Sequence, residues 1–100
     1  MNASEKQAML NDIKNYLDIT FMDYALDKKL TGIMERGAAY LTGIAGADLD
    51  FLTENVERQL LMDYCRYANA NCIEDFERNF SSELLMLRIG RGVADYAGQE

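Results

Sequence analysis

The 100-residue sequence contains no proline and no histidine, and each absence narrows what the chain can be. Because proline is the strongest helix breaker, a proline-free chain rich in Leu, Met, Ala, Glu and Arg favours a nearly all-helical fold. Histidine is the commonest general base and metal ligand. Without it, a Ser-His-Asp or Cys-His catalytic arrangement is impossible, and the two cysteines alone do not make a zinc site. We therefore expect no enzymatic activity, no metal and no cofactor.

Positive charge is also scarce, with 10 Lys and Arg against 17 Asp and Glu and a net charge of −7. Residues 48–83 carry most of this excess, with nine acidic residues against three arginines. Affinity for phosphates comes from clustered Lys and Arg, so the composition argues against sequence-specific binding of nucleic acid. It argues equally against an anionic membrane surface.

The cysteine spacing and the lack of long apolar runs indicate a soluble protein of the cytosol. Cys65 and Cys72 lie seven residues apart, which on one straight helix is roughly 10 Å, too far for a disulfide. We expect both to be buried, reduced thiols. No apolar run approaches the length of about 20 residues that spans a bilayer. The first residues also lack the charged-then-apolar order of a signal peptide.

Apolar residues recur at helical spacing in four successive segments. The second segment has the clearest row, and the third has an apolar face wide enough to imply burial on more than one side. The length suits one domain, residues 1–100. The sequence therefore predicts an all-α fold, a small bundle of about four helices with a flexible C-terminal tail. The predicted helices cover roughly residues 4–18, 20–45, 50–69 and 71–89, and the tail covers residues 90–100.

Short polar residues mark where these helices are expected to begin. Ser4 opens an S-x-x-Q pattern typical of a capping box. Thr20, three residues before Asp23, can cap the second helix in the same way. Asp48 or Asp50 is expected to cap the third, because a side-chain carboxylate accepts hydrogen bonds from the first free backbone N–H groups.

Glycine and asparagine mark the expected ends and one close contact. Gly46 is a plausible C-cap of the second helix, and Asn69–Asn71 is a possible turn after the third. Gly90 and Gly92 are expected to end the fourth. Gly37 instead lies within the apolar row of the second helix, where glycine costs about 1 kcal/mol relative to alanine. We interpret it as the point where another helix approaches closely.

Glu74, Asp75 and Glu77 form the densest cluster of acidic residues. Acids are favourable near a helix N-terminus, so the simplest interpretation is a solvated helix face. The alternatives are a charged contact with a neighbouring subunit, a mimic of DNA phosphates and a pair of catalytic carboxylates. A calcium loop around Asp48 and Asp50 lacks the required glycine and terminal glutamate, which leaves helix capping there.

The candidate interface residues are tyrosines and the C-terminal segment. Tyrosine is enriched where one end of the ring is buried and the other is wet. The C-terminal segment mixes cationic, apolar and aromatic groups, as interfaces do. The predicted interface residues are Tyr64, Tyr67, Arg88, Arg91, Val93 and Tyr96.

Several pieces of the sequence, taken together in their order and spacing, are informative: LNDIKNYLDIT at 10–20, DKKLTGIMERG at 27–37, Tyr40-Leu41, LLMDYCRYANAN at 60–71, FERNF at 76–80 and ELLML at 83–87. Together they resemble the head–tail connector family of long-tailed bacteriophages, also called head completion or adaptor proteins. The resemblance extends from about residue 9 to 89. The segment after the first predicted helix departs from it, with FMDYAL at 21–26 in place of the family's acidic, tryptophan-containing loop.

The resemblance implies a helical bundle whose copies form a ring beneath the portal after DNA packaging. Its partners would be further copies of itself, the portal protein and the next neck or tail-completion protein. It would lie in the virion neck, and in the host bacterial cytoplasm during assembly. An acidic wall would also let packaged DNA pass without sticking, because it repels phosphates. The alternative is a small phage or host inhibitor that mimics DNA towards a basic partner.

Overall fold

The computed structural model describes the backbone of residues 1–98 and the side chains of residues 1–90. Within that part of the chain the regular structure is entirely α-helical, which confirms the predicted all-α class. There are five helices where about four were predicted, because the last predicted helix is divided. The helices are α1 (Ala3–Tyr16), α2 (Tyr24–Ala45), α3 (Val56–Asn69), α4 (Ile73–Asn79) and α5 (Ser81–Gly98).

The first helix begins earlier than Ser4, the predicted cap. Asn2 is the N-cap, and its side chain accepts from the Glu5 N–H at 2.8 Å. The Asn2 N–H in turn donates to Glu5 Oε1 at 2.8 Å, which completes a capping box. The prediction chose the wrong residue because asparagine caps a helix as well as serine does, and both precede a suitable partner.

The second helix is capped at both ends by short-range contacts. Its N-cap is Asp23 and not Thr20; the Asp23 carboxylate accepts from the Leu26 N–H at 3.1 Å. At the other end Gly46 adopts a left-handed φ of 69° and donates its N–H to the Thr42 carbonyl. The predicted glycine C-cap is therefore confirmed.

The third helix begins later than the Asp48 or Asp50 cap predicted. Asn55 is its N-cap, with its side chain accepting from the Arg58 N–H at 2.8 Å. Asp50 uses its carboxylate within the preceding loop, on the N–H groups of Leu52 and Thr53. The helix ends in the predicted turn, where Asn71 has a left-handed φ of 58°.

The predicted fourth helix is divided at Phe80. Phe80 has φ −111° and ψ 19°, and it separates α4 from α5. Gly90 and Gly92 were expected to end the helix, but both lie inside α5, since a glycine lowers helix propensity without removing a hydrogen-bond donor. The rest of the predicted tail is residues 91–100, whose side chains lie outside the described residues.

Helix α2 is the central element of the bundle. It packs against α1, α3 and α5, while α4 packs against α3 and α5. Two ion pairs fix α1 antiparallel to α2, Lys6 to Glu35 at 3.1 Å and Lys14 to Asp27 at 2.9 Å. The largest fully buried side chains come from four of the helices and are Met9, Ile13, Leu30, Met34, Leu41, Leu61, Cys65 and Phe76.

Gly37 is the place where α2 and α3 come closest. A methyl carbon built on Gly37 would lie 2.6 Å from Tyr64 Cδ1 and 2.9 Å from Leu61 Cδ1, well inside van der Waals contact. The α3 side chains therefore occupy the space that any other residue would fill. The predicted close helix approach at Gly37 is present.

Candidate interaction surfaces

Tyr64 and Tyr67, two predicted interface residues, belong to an aromatic cluster. Phe76, fully buried, lies edge-on to both tyrosine rings, with centroid separations of 5.6 and 5.9 Å. Tyr40 and Phe80 extend the cluster on either side. Both predicted tyrosines are half-buried, so each ring serves the core on one side and borders solvent on the other.

Arg88, a third predicted interface residue, lies on the exposed side of α5. It lines a shallow groove between α2 and α5 together with Tyr40 and Glu77. Because Tyr40 also contacts Tyr64 at 5.7 Å between centroids, the structure brings Arg88 to the same region as the aromatic cluster. The other predicted interface residues, which lie outside the described side chains, are Arg91, Val93 and Tyr96.

The loop between α1 and α2 exposes large apolar side chains that sequence reasoning did not select as an interface. Phe21 is 57% exposed, Met22 92% and Tyr24 88%. We call residues 21–24 the apolar loop. A run of apolar residues at a helix junction, outside any helical row, was the signal available in the sequence.

A second apolar surface lies between the N-terminus of α3 and one face of α5. Val56, Met86 and Leu87 line a groove of about 530 Å³, with Glu57 and Glu83 also among its lining residues. We call it the α3–α5 groove. It is open to solvent, since Val56 is 61% exposed and Met86 69%.

Two residues at the start of the third predicted helix are more exposed than their place in its apolar spacing predicts. Leu52 and Val56 continue the apolar row of that helix in sequence, yet Leu52 is 44% and Val56 61% exposed. Leu52 precedes the helix, and Val56 is its first residue, so no neighbouring helix covers them. On α5, Met86 and Ile89 lie off the buried row of Leu84 and Leu87, a pattern the sequence does contain.

The apolar loop and the α3–α5 groove lie towards opposite ends of α2. The loop joins directly to the α2 N-terminus at Tyr24, and α2 is 22 residues long, which is about 33 Å of helix. Near its C-terminus, Ile44 faces the α5 residues Leu84 and Arg88. The groove lies on this same α5 segment, so most of the length of α2 separates the two surfaces.

A polar contact joins α1 to α3 and accounts for the two buried charged residues. The Arg58 guanidinium bonds the Asp12 carboxylate and donates to the Phe51 carbonyl at 3.0 Å. Asp63 accepts from the Tyr16 hydroxyl at 2.5 Å. That hydrogen bond to a carboxylate raises the pKa of Tyr16, with burial adding to the effect. We assign this contact to holding α1 against α3.

The acidic cluster of α4 has the geometry of a solvated helix face. Asp75 pairs with Arg78 at 3.3 Å, three residues along the same helix. Glu74 and Glu77 are exposed. Around Asp50, the Thr53 hydroxyl donates to the carboxylate, and this hydrogen bond lowers the pKa of Asp50. Asp75 and Asp50 thus have partners that account for local structure.

In residues 1–90, no three acidic or cysteine side chains converge in a way that could hold a metal ion. Nor is any helix of the described chain both long and apolar enough to cross a membrane. Comparison with protein-family models, curated proteins and solved structures gives no match.

The two cysteines differ sharply in accessibility, which predicts selective labelling. Cys65 is fully buried, and burial raises the pKa of its thiol to about 12. Cys72 is half-buried in the turn before α4, where its thiol donates to the Tyr67 carbonyl at 3.4 Å. Because the thiolate is the reactive form, we expect a thiol reagent at neutral pH to label Cys72 first and Cys65 only after unfolding.

Mass spectrometry of the digested, time-sampled reaction measures this order. The Cys72→Ser variant should lose the fast phase and keep its melting temperature within a few degrees. Equal labelling rates for the two thiols in the native protein would contradict the burial of Cys65.

Proposed function

We propose that this chain is a structural connector of a long-tailed bacteriophage or prophage. Copies of it would form a ring beneath the portal and join the DNA-filled head to the neck or tail. It would act without catalysis or cofactor, in the virion neck, after assembly in the bacterial cytoplasm. The family named in this proposal comes from the motif resemblance over residues 9–89.

The observation that carries the proposal is the exposed apolar surface at two separate places. Scattered exposed apolar residues are ordinary, but contiguous patches mark interaction surfaces. Here the apolar loop and the α3–α5 groove together expose Phe21, Met22, Tyr24, Val56 and Met86 on a chain of 100 residues. Exposed apolar surface lowers the solubility of a free protein. Its presence is explained if neighbouring subunits cover it in the assembled particle.

The net charge agrees with a position around passing DNA. A charge of −7 with few clustered cations gives phosphates little to bind. The alternative function, a DNA mimic towards a basic partner, needs an acidic surface as its binding face. The two exposed apolar surfaces favour the connector, since a phosphate mimic makes no use of them.

Attachment to the portal tests the proposal. The chain is mixed with purified portal rings of the phage or prophage that carries its gene, and bound protein is measured by co-sedimentation and electron microscopy. We expect saturable binding that adds a layer beneath the portal ring. A chain that stays off both portal rings and portal-containing heads would contradict the connector function.

Arg88→Glu should weaken this attachment by about tenfold, because a reversed charge within an interface repels the groups it formerly matched. Arg88 is exposed at the edge of the aromatic cluster, and its replacement leaves the core untouched. Arg36→Glu on α2 is the matched control, with the same charge reversal at another exposed position. Equal effects of the two variants would place the portal contact elsewhere.

A further inference from the structure

We infer that the apolar loop of one copy docks in the α3–α5 groove of the next copy. The inference rests on the proposed function, because it assumes that the copies form a ring. It adds which two surfaces form the contact between neighbouring copies. The occupant of the groove is thus a second copy of this chain, engaged through residues 21–24.

The two surfaces are both apolar and exposed. In the apolar loop, Met22 is 92% exposed and Tyr24 is 88% exposed, beside Phe21 at 57%. The α3–α5 groove is a concavity of about 530 Å³ whose apolar lining includes Val56 and Met86. A flexible methionine side chain suits an irregular groove, and aromatic residues and methionine are enriched in interfaces.

The charges around the two surfaces are complementary. Lys28 and Lys29 follow the apolar loop on the first exposed turns of α2, and neither forms an ion pair with a described residue. At the groove, Glu83 is exposed and is one of the lining residues. The carboxylate inside the loop, Asp23, accepts from the Leu26 N–H at the start of α2. Docking would bring the lysines of one copy towards Glu83 of its neighbour, which favours this orientation.

The position of the surfaces determines the kind of assembly. They lie towards opposite ends of α2, so one copy can use its loop on one neighbour and its groove on another. Such a contact is heterologous, and repeated copies close into a ring when the rotation between them permits it. A contact between two identical surfaces would instead stop at a dimer.

Two single variants test the pairing, each placing a charge in one surface. Met22→Glu disables the loop and leaves the groove intact, whereas Met86→Glu disables the groove and leaves the loop intact. Both residues are exposed, so both variants are expected to fold, which circular dichroism and melting temperature check. Ala8→Glu, at an exposed position of α1 away from both surfaces, is the matched control.

Sedimentation analysis up to millimolar concentration provides the readout. We expect the wild-type chain and Ala8→Glu to show self-association, and each methionine variant alone to associate at least about tenfold more weakly. An equal mixture of Met22→Glu and Met86→Glu retains one intact loop and one intact groove. It should therefore form dimers and nothing larger.

Other occupants of the groove give different results, and each would overturn the inference. If two grooves meet each other, Met22→Glu associates as strongly as wild type, and mixing it with Met86→Glu produces no new dimer. If residues 91–100 of the same chain cover the groove, deleting them strengthens association. A wild-type chain that stays monomeric at millimolar concentration also contradicts the inference. Portal attachment is measured separately, so its persistence in any of these cases leaves the proposed function standing.

Discussion

Phe76→Ala is expected to lower the free energy of unfolding by about 3–5 kcal/mol, the range for removing a buried aromatic side chain. Phe76 is 0% exposed and contacts the rings of Tyr64, Tyr67 and Phe80. Its loss removes the ring that joins α4 to α3 and leaves a cavity between them. Since a domain of this size has only about 5–15 kcal/mol of stability, the variant should be close to unfolding.

Urea denaturation followed by circular dichroism measures this change. Phe21→Ala is the matched control, because Phe21 is 57% exposed in the apolar loop and its removal should cost no more than about 0.5 kcal/mol. Similar losses for the two phenylalanines would show that the aromatic cluster is not part of the core.

Alanine substitution at Gly37 and at Gly43 is expected to have opposite effects although both glycines lie in α2. Each substitution gains about 1 kcal/mol of helix propensity. At Gly37 the new methyl group meets the Tyr64 ring at 2.6 Å, and such overpacking costs about 1–3 kcal/mol. At Gly43 there is nothing within 4 Å of the new methyl group.

The quantity to compare is therefore the difference between the two variants, in which the propensity gain cancels. We expect Gly37→Ala to be less stable than Gly43→Ala by about 1–3 kcal/mol in urea denaturation. Gly43→Ala should be slightly more stable than wild type. Equal stability of the two variants would mean that α2 and α3 do not approach as closely at Gly37.

The helices were predictable where local chemistry and burial agree. The α2 row from Leu30 to Leu41 is buried as its spacing predicts, and Gly46 ends the helix in the left-handed conformation that glycine favours. The close approach at Gly37 was predictable because glycine lowers helix propensity, so a glycine on an apolar row indicates a closely packed neighbour.

The start of α3 was not predictable from local pattern, because a distant contact decides it. Asp50 has good capping chemistry, but its bonds close a short turn at Thr53. The Arg58 side chain then holds the Phe51 carbonyl and the α1 residue Asp12, which keeps this segment outside the helix. Sequence spacing contains no trace of a partner 46 residues away.

The exposed apolar surfaces were not predictable for a related reason. Tyr64, Tyr67 and Arg88 lie at one region of the surface, and their role as an interface stays a prediction; the tyrosine rings also serve the core. The apolar loop and Met86 were missed, because exposure depends on which faces the neighbouring helices leave uncovered. That information exists only after the helices are packed.

The central position of α2 has a mechanical consequence. A force applied between the apolar loop and the C-terminal end of α2 acts along the helix axis, and the backbone hydrogen bonds of a helix lie nearly parallel to that axis. Because α1, α3 and α5 all pack against α2, part of the load passes to them by shear and not through the hydrogen bonds of α2 alone. Such a load is therefore shared between α2 and the three helices packed against it.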